Sequence, residues 1–334
     1  MIRVTHFQRK PGLGMFSLER LFADIRAAMP IDINVRAQDC AFISRGLWRR
    51  LYNMVEAIFR QGDINHVTGD VHYLTYLLKK KITVLTIPDC VGLDPLQGFK
   101  QWLLWLFWYW LPMHRVNAVI VISEATKQEL LKFVSYDSNK IQVIYCCVSE
   151  DFRPDKRPFN SSYPRVLQVG TGKHNKNVER VAMALAGIDC KWVIIGRLSA
   201  KQIAVIKSHD LDYENHVGLS DEAILEQYQQ ADMLVFASTY EGFGLPIVEA
   251  NAVGRPVVTS TVYSMPEVAG DAACLVDPYS VASIRAGILK IIEDTGYREN
   301  LIKAGFRNVE RFRSSLIAEQ YAQLYRRLYA DSKL

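Results

Sequence analysis

The sequence predicts an α/β protein of two doubly wound domains in tandem. Short β-rich runs alternate with helix-patterned segments along the whole chain, which implies βαβ crossovers and parallel sheets. The alternation breaks at DFRPDKRPFNSSYP (151–164), where three prolines interrupt the apolar periodicity as in a linker. The length of 334 residues suits about two domains of ordinary size.

Taken in order, the first half predicts strands at 2–6, 64–67, 83–86, 118–122 and 141–144, with helices at 16–28, 48–60, 102–114 and 124–134. The second half predicts strands at 166–169, 192–195, 233–236, 256–258 and 273–276. Its helices fall at 177–185, 200–208, 221–229, 246–253, 281–293 and 297–309. A final helix, 314–328, repeats apolar residues at 316, 317, 321, 324, 325 and 328. The expected plan is residues 1–150 as an N-terminal Rossmann-like domain, 151–164 as a linker, 165–312 as a C-terminal Rossmann-like domain, and 313–334 as a C-terminal helical segment. Ligand is expected in a central cleft at the carboxyl ends of the strands.

Composition narrows the class. Hydrophobic residues make up 49% and charged residues 22%, a balance that excludes a disordered, collagenous or disulfide-stapled chain. The longest apolar run, 102–113, is twelve residues, whereas a spanning helix needs about 20. The opening MIRVTHF reads as a strand rather than a leader. Six cysteines (40, 90, 146, 147, 190 and 274) show no C-x-x-C pair and no metal-ligand spacing, so buried thiols in a reducing cytoplasm are expected. Residues 1–150 carry 18 Lys and Arg against 13 Asp and Glu, and 151–334 carry 22 of each. The whole excess of +5 thus lies in the first half, which suits an anionic partner there. No nucleic-acid signature accompanies it.

The strongest chemical signal is FASTYEGFGLPIVEANAVGRPVV, 236–258. A strand ends, Glu241, Gly242, Phe243 and Gly244 follow, and Pro246 sits where a helix starts. Glycines before a helix N-terminus let backbone amides approach an anionic or hydroxyl-rich ligand. Glu241 and Glu249 can both accept hydrogen bonds from sugar or ribose hydroxyls. A strand–turn–helix with a solvated second Glu is the structural alternative. The second signal is VLQVGTGKHNKNVERV, 166–181, a strand running into a loop with Gly170, Gly172, Lys173 and Lys176 and then a helix. It reads as a phosphate cradle. It completes neither a P-loop, since Leu167 stands where the first glycine belongs, nor a dinucleotide fingerprint, since Asn175 stands where Gly or Ala is needed. A weaker loop, RKPGLGMFSLERLF (9–22), holds Gly12 and Gly14.

Together EGFGLPIVE, the following GRPVVTSTVYSMPEVAGDAACLVDP, VGTGKHNKN, HVGLSDEAILEQYQQADMLVFAS and ISEATK resemble a retaining family-4 glycosyltransferase of the GT-B fold, with two Rossmann-like domains. The resemblance implies a nucleotide-sugar donor, UDP- or GDP-linked, and no metal or other cofactor, with 1–150 as the acceptor-binding domain, 165–312 as the nucleotide-sugar-binding domain, and 313–334 packing back on the first domain. It places Glu241, Lys176 and Asp89 in catalysis. Glu249 holds the ribose; Glu241 and the amides of Phe243, Gly244 and Leu245 hold the sugar. Lys176 neutralises the diphosphate, with Gly170, Thr171 and Lys173 beside it, Gly14 closing on it, and Arg197 and Val217 near the base. The sequence departs from the family where Thr171 replaces an arginine, where TIPDC puts Pro88 in place of a histidine before Asp89, and where Cys146-Cys147 replaces Asn-Gly. The expected activity is retaining transfer of a hexosyl unit to a glycan or polyprenyl-linked acceptor in cell-surface polysaccharide synthesis. A nucleotide-sugar epimerase or phosphorylase of the same fold, or a non-catalytic nucleotide-sugar-binding subunit, are the alternatives.

His66 and His72, in INHVTGDVHYL, are acceptor-side candidates, with a core role as the alternative. Asp210-Leu211-Asp212 spells a metal-binding D-x-D but reads as a solvated loop. The run QWLLWLFWYWLPMH (101–114) reads as a buried helix or, with Arg45, Trp48, Arg49 and Arg50, as a peripheral contact with an anionic membrane at the cytoplasmic face.

Overall fold

The computed structural model describes residues 1–10, 17–90, 98–172 and 174–334. The chain forms two compact units: Met1–Cys147 with Ser314–Leu334, and Val148–Arg313.

The first unit holds six strands: β1 (Ile2–Gln8), β2 (Ile33–Asp39), β3 (Ile64–Val67), β4 (Thr83–Ile87), β5 (Ala118–Val121) and β6 (Ile141–Val143). All pair in parallel, in the order β2-β1-β3-β4-β5-β6. Helices α1 (Ser17–Ala27), α2 (Leu47–Phe59), α3 (Phe99–Leu104), α4 (Leu111–His114) and α5 (Glu124–Phe133) connect them. Central strands such as β5, AVIV, are buried along their whole length, the pattern of a parallel strand covered on both faces. One side of the sheet packs on Met54, Leu74, Tyr109, Met113 and Leu130. The C-terminal helix, Ser314–Asp331, packs against α1, β1 and β3.

The strand β2, INVRAQD, is absent from the expected set. It lies at the sheet edge and is half exposed, so its apolar residues alternate with polar ones instead of forming a run. The expected continuous helix 102–114 is also different. It begins at Phe99 and passes through a π-helical turn, Trp105–Trp110, before α4. A π-turn leaves main-chain carbonyls displaced from the α-helical ladder. The Tyr76 hydroxyl donates to the carbonyl of Phe107, and His72 Nδ1 donates to that of Trp108 at 2.6 Å.

The second unit holds β7 (Arg165–Val169), β8 (Lys191–Ile195), β9 (Tyr213–His216), β10 (Met233–Phe236), β11 (Val257–Ser260) and β12 (Cys274–Val276). They pair in parallel in the order β12-β11-β10-β7-β8-β9. Its helices are α6 (Val178–Leu185), α7 (Ala200–Ser208), α8 (Asp221–Gln230), α9 (Leu245–Val253), α10 (Met265–Ala269), α11 (Val281–Glu293) and α12 (Thr295–Val309). The core gathers Val181, Leu185, Trp192, Val235, Ile284 and Ile288. Strand order reverses between β7 and β10, the crevice where doubly wound sheets bind ligands.

The proline-rich stretch is held to this second unit. Arg255 donates to the carboxylate and, at 3.1 Å, to the carbonyl of Asp155. Arg157 donates to the Gln230 carbonyl at 2.7 Å, and Asp232 accepts from the amides of Asn160 and Arg165 at 3.0 and 2.7 Å. Prolines suppress regular structure there without freeing the chain.

Candidate functional site

The reversal between β7 and β10 assembles the two strongest sequence signals. The loop after β7 carries Gly170 and Lys176; the loop after β10 carries Glu241. Lys176 Nζ donates to Glu241 Oε1 at 2.7 Å, and both side chains are about four-fifths buried, at 21% and 15% exposure. The ammonium also lies 4.9 Å from the centre of the Phe236 ring, a cation–π contact favoured by partial desolvation.

Gly170 explains how the lysine reaches that place. Its φ is +91°, and a Cβ there would sit 2.9 Å from Lys176 Cε. The residue is glycine because the backbone turns left-handed while a side chain crosses directly over it. The two loops are stitched together. Asn175 Nδ2 donates to the Tyr240 carbonyl at 2.6 Å, Thr239 N to the Asn175 carbonyl at 2.8 Å, and Gln168 Nε2 to the Lys176 carbonyl at 2.8 Å. Asn177, left-handed at φ 57°, donates through Nδ2 to the carbonyls of Ala237 and Pro278.

Helices α6 and α9, which follow these loops, begin on Asn177 and Gly244 without a side-chain cap. By contrast α7, α8, α11 and α12 are capped by Ser199, Ser220, Ser280 and Asp294. An uncapped helix start leaves backbone N–H groups and the positive end of the dipole for an anion. Gly244 stands at φ +106°. Phe243 is buried, Leu245 is half-buried, and Ser264 Oγ lies 2.9 and 2.8 Å from the carbonyls of Glu241 and Phe243, fixing this turn.

Glu249 lies on α9, and its Oε2 accepts a 2.6 Å hydrogen bond from the Tyr228 hydroxyl. Tyr228 is fully buried, and burial, then the neighbouring carboxylate, pushes its phenol pKa well up. The phenol therefore stays a donor and orients Glu249. Tyr228, Phe236, Asn175, Asn177 and Ser264 belong to the site although the sequence reading did not select them. All five lay inside the quoted motifs, but Tyr228 is 21 residues from Glu249 and nothing local pairs the two.

The remaining expected residues divide. Thr171 is buried, and its hydroxyl donates to the Arg197 carbonyl at 2.7 Å, so it docks the β7 loop onto the β8 loop instead of facing a ligand. Gly196 allows that contact: a Cβ there would meet Thr171 Oγ1 at 2.5 Å. Arg197 and Val217 are exposed at the carboxyl ends of β8 and β9. Gly14 and Lys173 lie outside the described residues. Asp89 belongs to the first unit, just past β4, half-buried, with its carbonyl accepting from Tyr109 at 3.4 Å.

The histidines are corrected by the structure. His66 is inside β3 and fully buried, with Nδ1 2.6 Å from the Tyr325 hydroxyl and Nε2 2.7 Å from Thr86 Oγ1. Burial pulls its pKa down to about 3. Both ring nitrogens are engaged in the core, so it reaches no acceptor. His72 is also buried; its Nδ1 proton is spent on the Trp108 carbonyl. Neither can serve as an acceptor contact.

Asp212 of the D-x-D binds Lys191 Nζ at 2.5 Å and accepts from the Tyr163 hydroxyl. Among the described residues no three His, Cys, Asp or Glu side chains gather as a metal site, and no helix is long and apolar enough to cross a membrane. All six cysteines are buried.

Comparison with known proteins matches residues 149–308 to the family described as glycosyl transferases group 1, and residues 37–152 to glycosyltransferase family 4. The chain is 27% identical over 227 residues to the O-antigen chain mannosyltransferase B of Escherichia coli, covering 58% of this chain and 56% of that protein. It is 25% identical to the capsular polysaccharide biosynthesis glycosyltransferase CapM of Staphylococcus aureus, covering 77% of this chain and 73% of the other. The first of these matches spans little more than half of the relative's length. The crystal structure of Anabaena HepE in complex with UDP and glucose superposes with a TM-score of 0.78 over 97% of this chain and 99% of that one, at 15% identity. That likeness is one of fold.

Proposed function

This chain belongs to the family-4 glycosyltransferases of the GT-B fold, and from that premise we propose that it transfers a hexosyl unit from a UDP- or GDP-sugar to a glycan or polyprenyl-linked acceptor in cell-surface polysaccharide synthesis. The observation that carries the reading is the Lys176–Glu241 pair across the β7–β10 reversal, between two uncapped helix starts. The similarity to O-antigen and capsular enzymes supports the polysaccharide setting.

In this reading residues 165–312 bind the donor and 1–150 the acceptor. Glu249, oriented by Tyr228, holds the ribose hydroxyls. The amides of Phe243, Gly244 and Leu245 meet the sugar, with Glu241 beside them. Lys176, lying over Gly170, exchanges part of its contact with Glu241 for the diphosphate. Arg197 and Val217 flank the base. The C1–O bond to the diphosphate breaks as the acceptor oxygen bonds C1 on the same face. The acceptor proton passes to the departing phosphate oxygen, so configuration is retained. Fixed cations and helix termini stabilise the leaving charge, which makes the reaction independent of added metal. The acceptor is met at the cytoplasmic face of a membrane.

The test is a donor screen in the presence of EDTA, following thermal shift and nucleotide release against UDP-, GDP-, ADP- and TDP-sugars. Stabilisation by one nucleotide, with metal-free release in the presence of an acceptor, is expected and names the base. Stabilisation without release with any lipid-linked acceptor favours a binding subunit. No stabilisation by any donor overturns the site.

A further inference from the structure

Helix α2 exposes its apolar face more fully than the aromatic run, where Trp102 and Phe107 alone are exposed, each at 48%. In the 101–114 segment Tyr109, Pro112 and Met113 are buried, and Trp105 and Trp108 pack on the core. Trp105 Nε1 donates to the Phe133 carbonyl at 2.8 Å, and Trp108 is tilted against His72 and Tyr73. On α2, by contrast, Trp48, Tyr52, Val55 and Phe59 repeat at steps of four, three and four, which places them on one helical face. All four are exposed, Trp48 at 82% and Phe59 at 80%, and Leu47, Phe42 and Ile43 extend the stripe at its start. The opposite face, Asn53, Met54 and Ala57, is buried.

Cations frame this stripe at both ends. Arg45 and Arg49 stand at its start. At its end are Arg60 and the Lys79–Lys81 triplet, tied to the helix exit where Gln61 Oε1 accepts from Lys79 N at 3.0 Å. Among the described residues Arg45, Arg49, Lys80 and Lys81 form no ion pair. Glu56 is the single acid on the helix. Arg50 does not join them: its guanidinium lies 5.1 Å from the Trp108 ring and donates to the Ser44 carbonyl.

We infer that the α2 face, Trp48–Tyr52–Val55–Phe59 framed by Arg45, Arg49 and Lys79–Lys81, is the surface by which this protein lies on an anionic lipid bilayer. Aromatic side chains enter the headgroup boundary while basic side chains meet the lipid phosphates. Charge decides against a second copy as the occupant. Pairing two α2 faces, parallel or antiparallel, sets cations against cations, whereas anionic headgroups neutralise both ends at once. The inference rests on unit 1 alone and stands whatever the donor screen returns.

Flotation with vesicles of phosphatidylcholine alone, or with about 30% phosphatidylglycerol, tests it. The wild-type chain is expected to float with the anionic vesicles and weakly with the neutral ones. Trp48→Ser with Phe59→Ser should lower partitioning by about tenfold or more on anionic vesicles. Arg45→Gln with Arg49→Gln should cost about fivefold per arginine on anionic vesicles and little on neutral ones. Each variant removes exposed side chains, and an unchanged unfolding midpoint shows that it folds. A wild-type chain that stays with the soluble fraction, or a folded Trp48→Ser, Phe59→Ser variant that floats as well as wild type, overturns the inference. So does light scattering that finds a wild-type dimer which the same variant converts to monomer.

Discussion

In both units a cation on the loop after the first strand meets a carboxylate across the reversal of strand order. In unit 2 it is Lys176, with Glu241 at 2.7 Å. In unit 1 it is Arg9, with Glu19 at 2.6 Å and Asp70 at 3.0 Å. The difference lies in charge balance and shape. Arg9 forks onto two carboxylates through Nε, Nη1 and Nη2, so its planar donors are spent in holding them together. Lys176 has a point charge on a flexible stem, one acidic partner, and two uncapped helix starts beside it. Two uncapped helix starts favour an anion at the second arrangement, as the proposed function requires. The same sheet plan thus carries a structural clamp in one unit and the proposed anion site in the other. Unit 1 keeps its excess positive charge elsewhere, around α2.

The largest effects should separate the two clusters. Lys176→Ala is expected to lower kcat by about 100- to 1000-fold, as for loss of a preorganised donor to developing charge, while the folded state survives. Arg9→Gln should leave donor Kd unchanged and lower the stability of unit 1 by about 1–3 kcal/mol, since two part-buried carboxylates lose their partner. Steady-state kinetics beside thermal unfolding decides; equal kinetic losses from both would erase the contrast.

The second test uses acid. The buried His66 has a folded pKa near 3, and burial holds that of His6 well below normal too. The folded state therefore binds fewer protons than the unfolded chain, and stability falls as pH drops below about 6.5, at about 1.4 kcal/mol per pH unit per histidine. For His66 the loss continues down to about pH 3. Both rings lie under the C-terminal helix, where they share the Tyr325 hydroxyl, so unit 1 should loosen first. Hydrogen exchange of β1 and β3 at pH 7 and pH 5 measures this, and His66→Gln should flatten the slope.

A smaller effect is expected from Tyr228→Phe. It removes the donor that orients Glu249, so donor Kd should weaken about tenfold, the scale of one hydrogen bond to a charged group, with kcat nearly unchanged. Isothermal titration with the nucleotide identified by the screen reads this out. An unchanged Kd would leave Glu249 oriented by something else.

The smallest contrast is between two left-handed glycines. Gly46→Ala, at φ +83° with open space around it, should cost only the backbone strain, about 1 kcal/mol. Gly170→Ala carries the same strain and also displaces Lys176, so it should reduce kcat as well as the unfolding midpoint.

Much of this was legible because the residues that matter are neighbours in sequence. Gly170 and Lys176 flank one loop, and Glu241, Gly244 and Glu249 flank another. The missing pieces share two physical causes. The strand β2, and β9 with its short polar YENH, are edge strands without a continuous apolar run. The histidines were misplaced because INHVTGDVHYL alternates like a strand leading into a loop, while burial of His66 depends on Tyr325, 259 residues away.

By itself the sequence determined the α/β class, the two-domain plan and the two glycine-bearing loops that carry the proposed site, because period, glycine placement and helix starts are local properties. Only the tertiary structure decided which loop faces which. It set Lys176 on Glu241, lent Tyr228 to Glu249, buried His66, and packed Trp105 and Trp108 on the core while leaving the Trp48–Phe59 face of α2 uncovered. Each of those outcomes depends on side chains from separate elements meeting at one place, and no local pattern records that meeting.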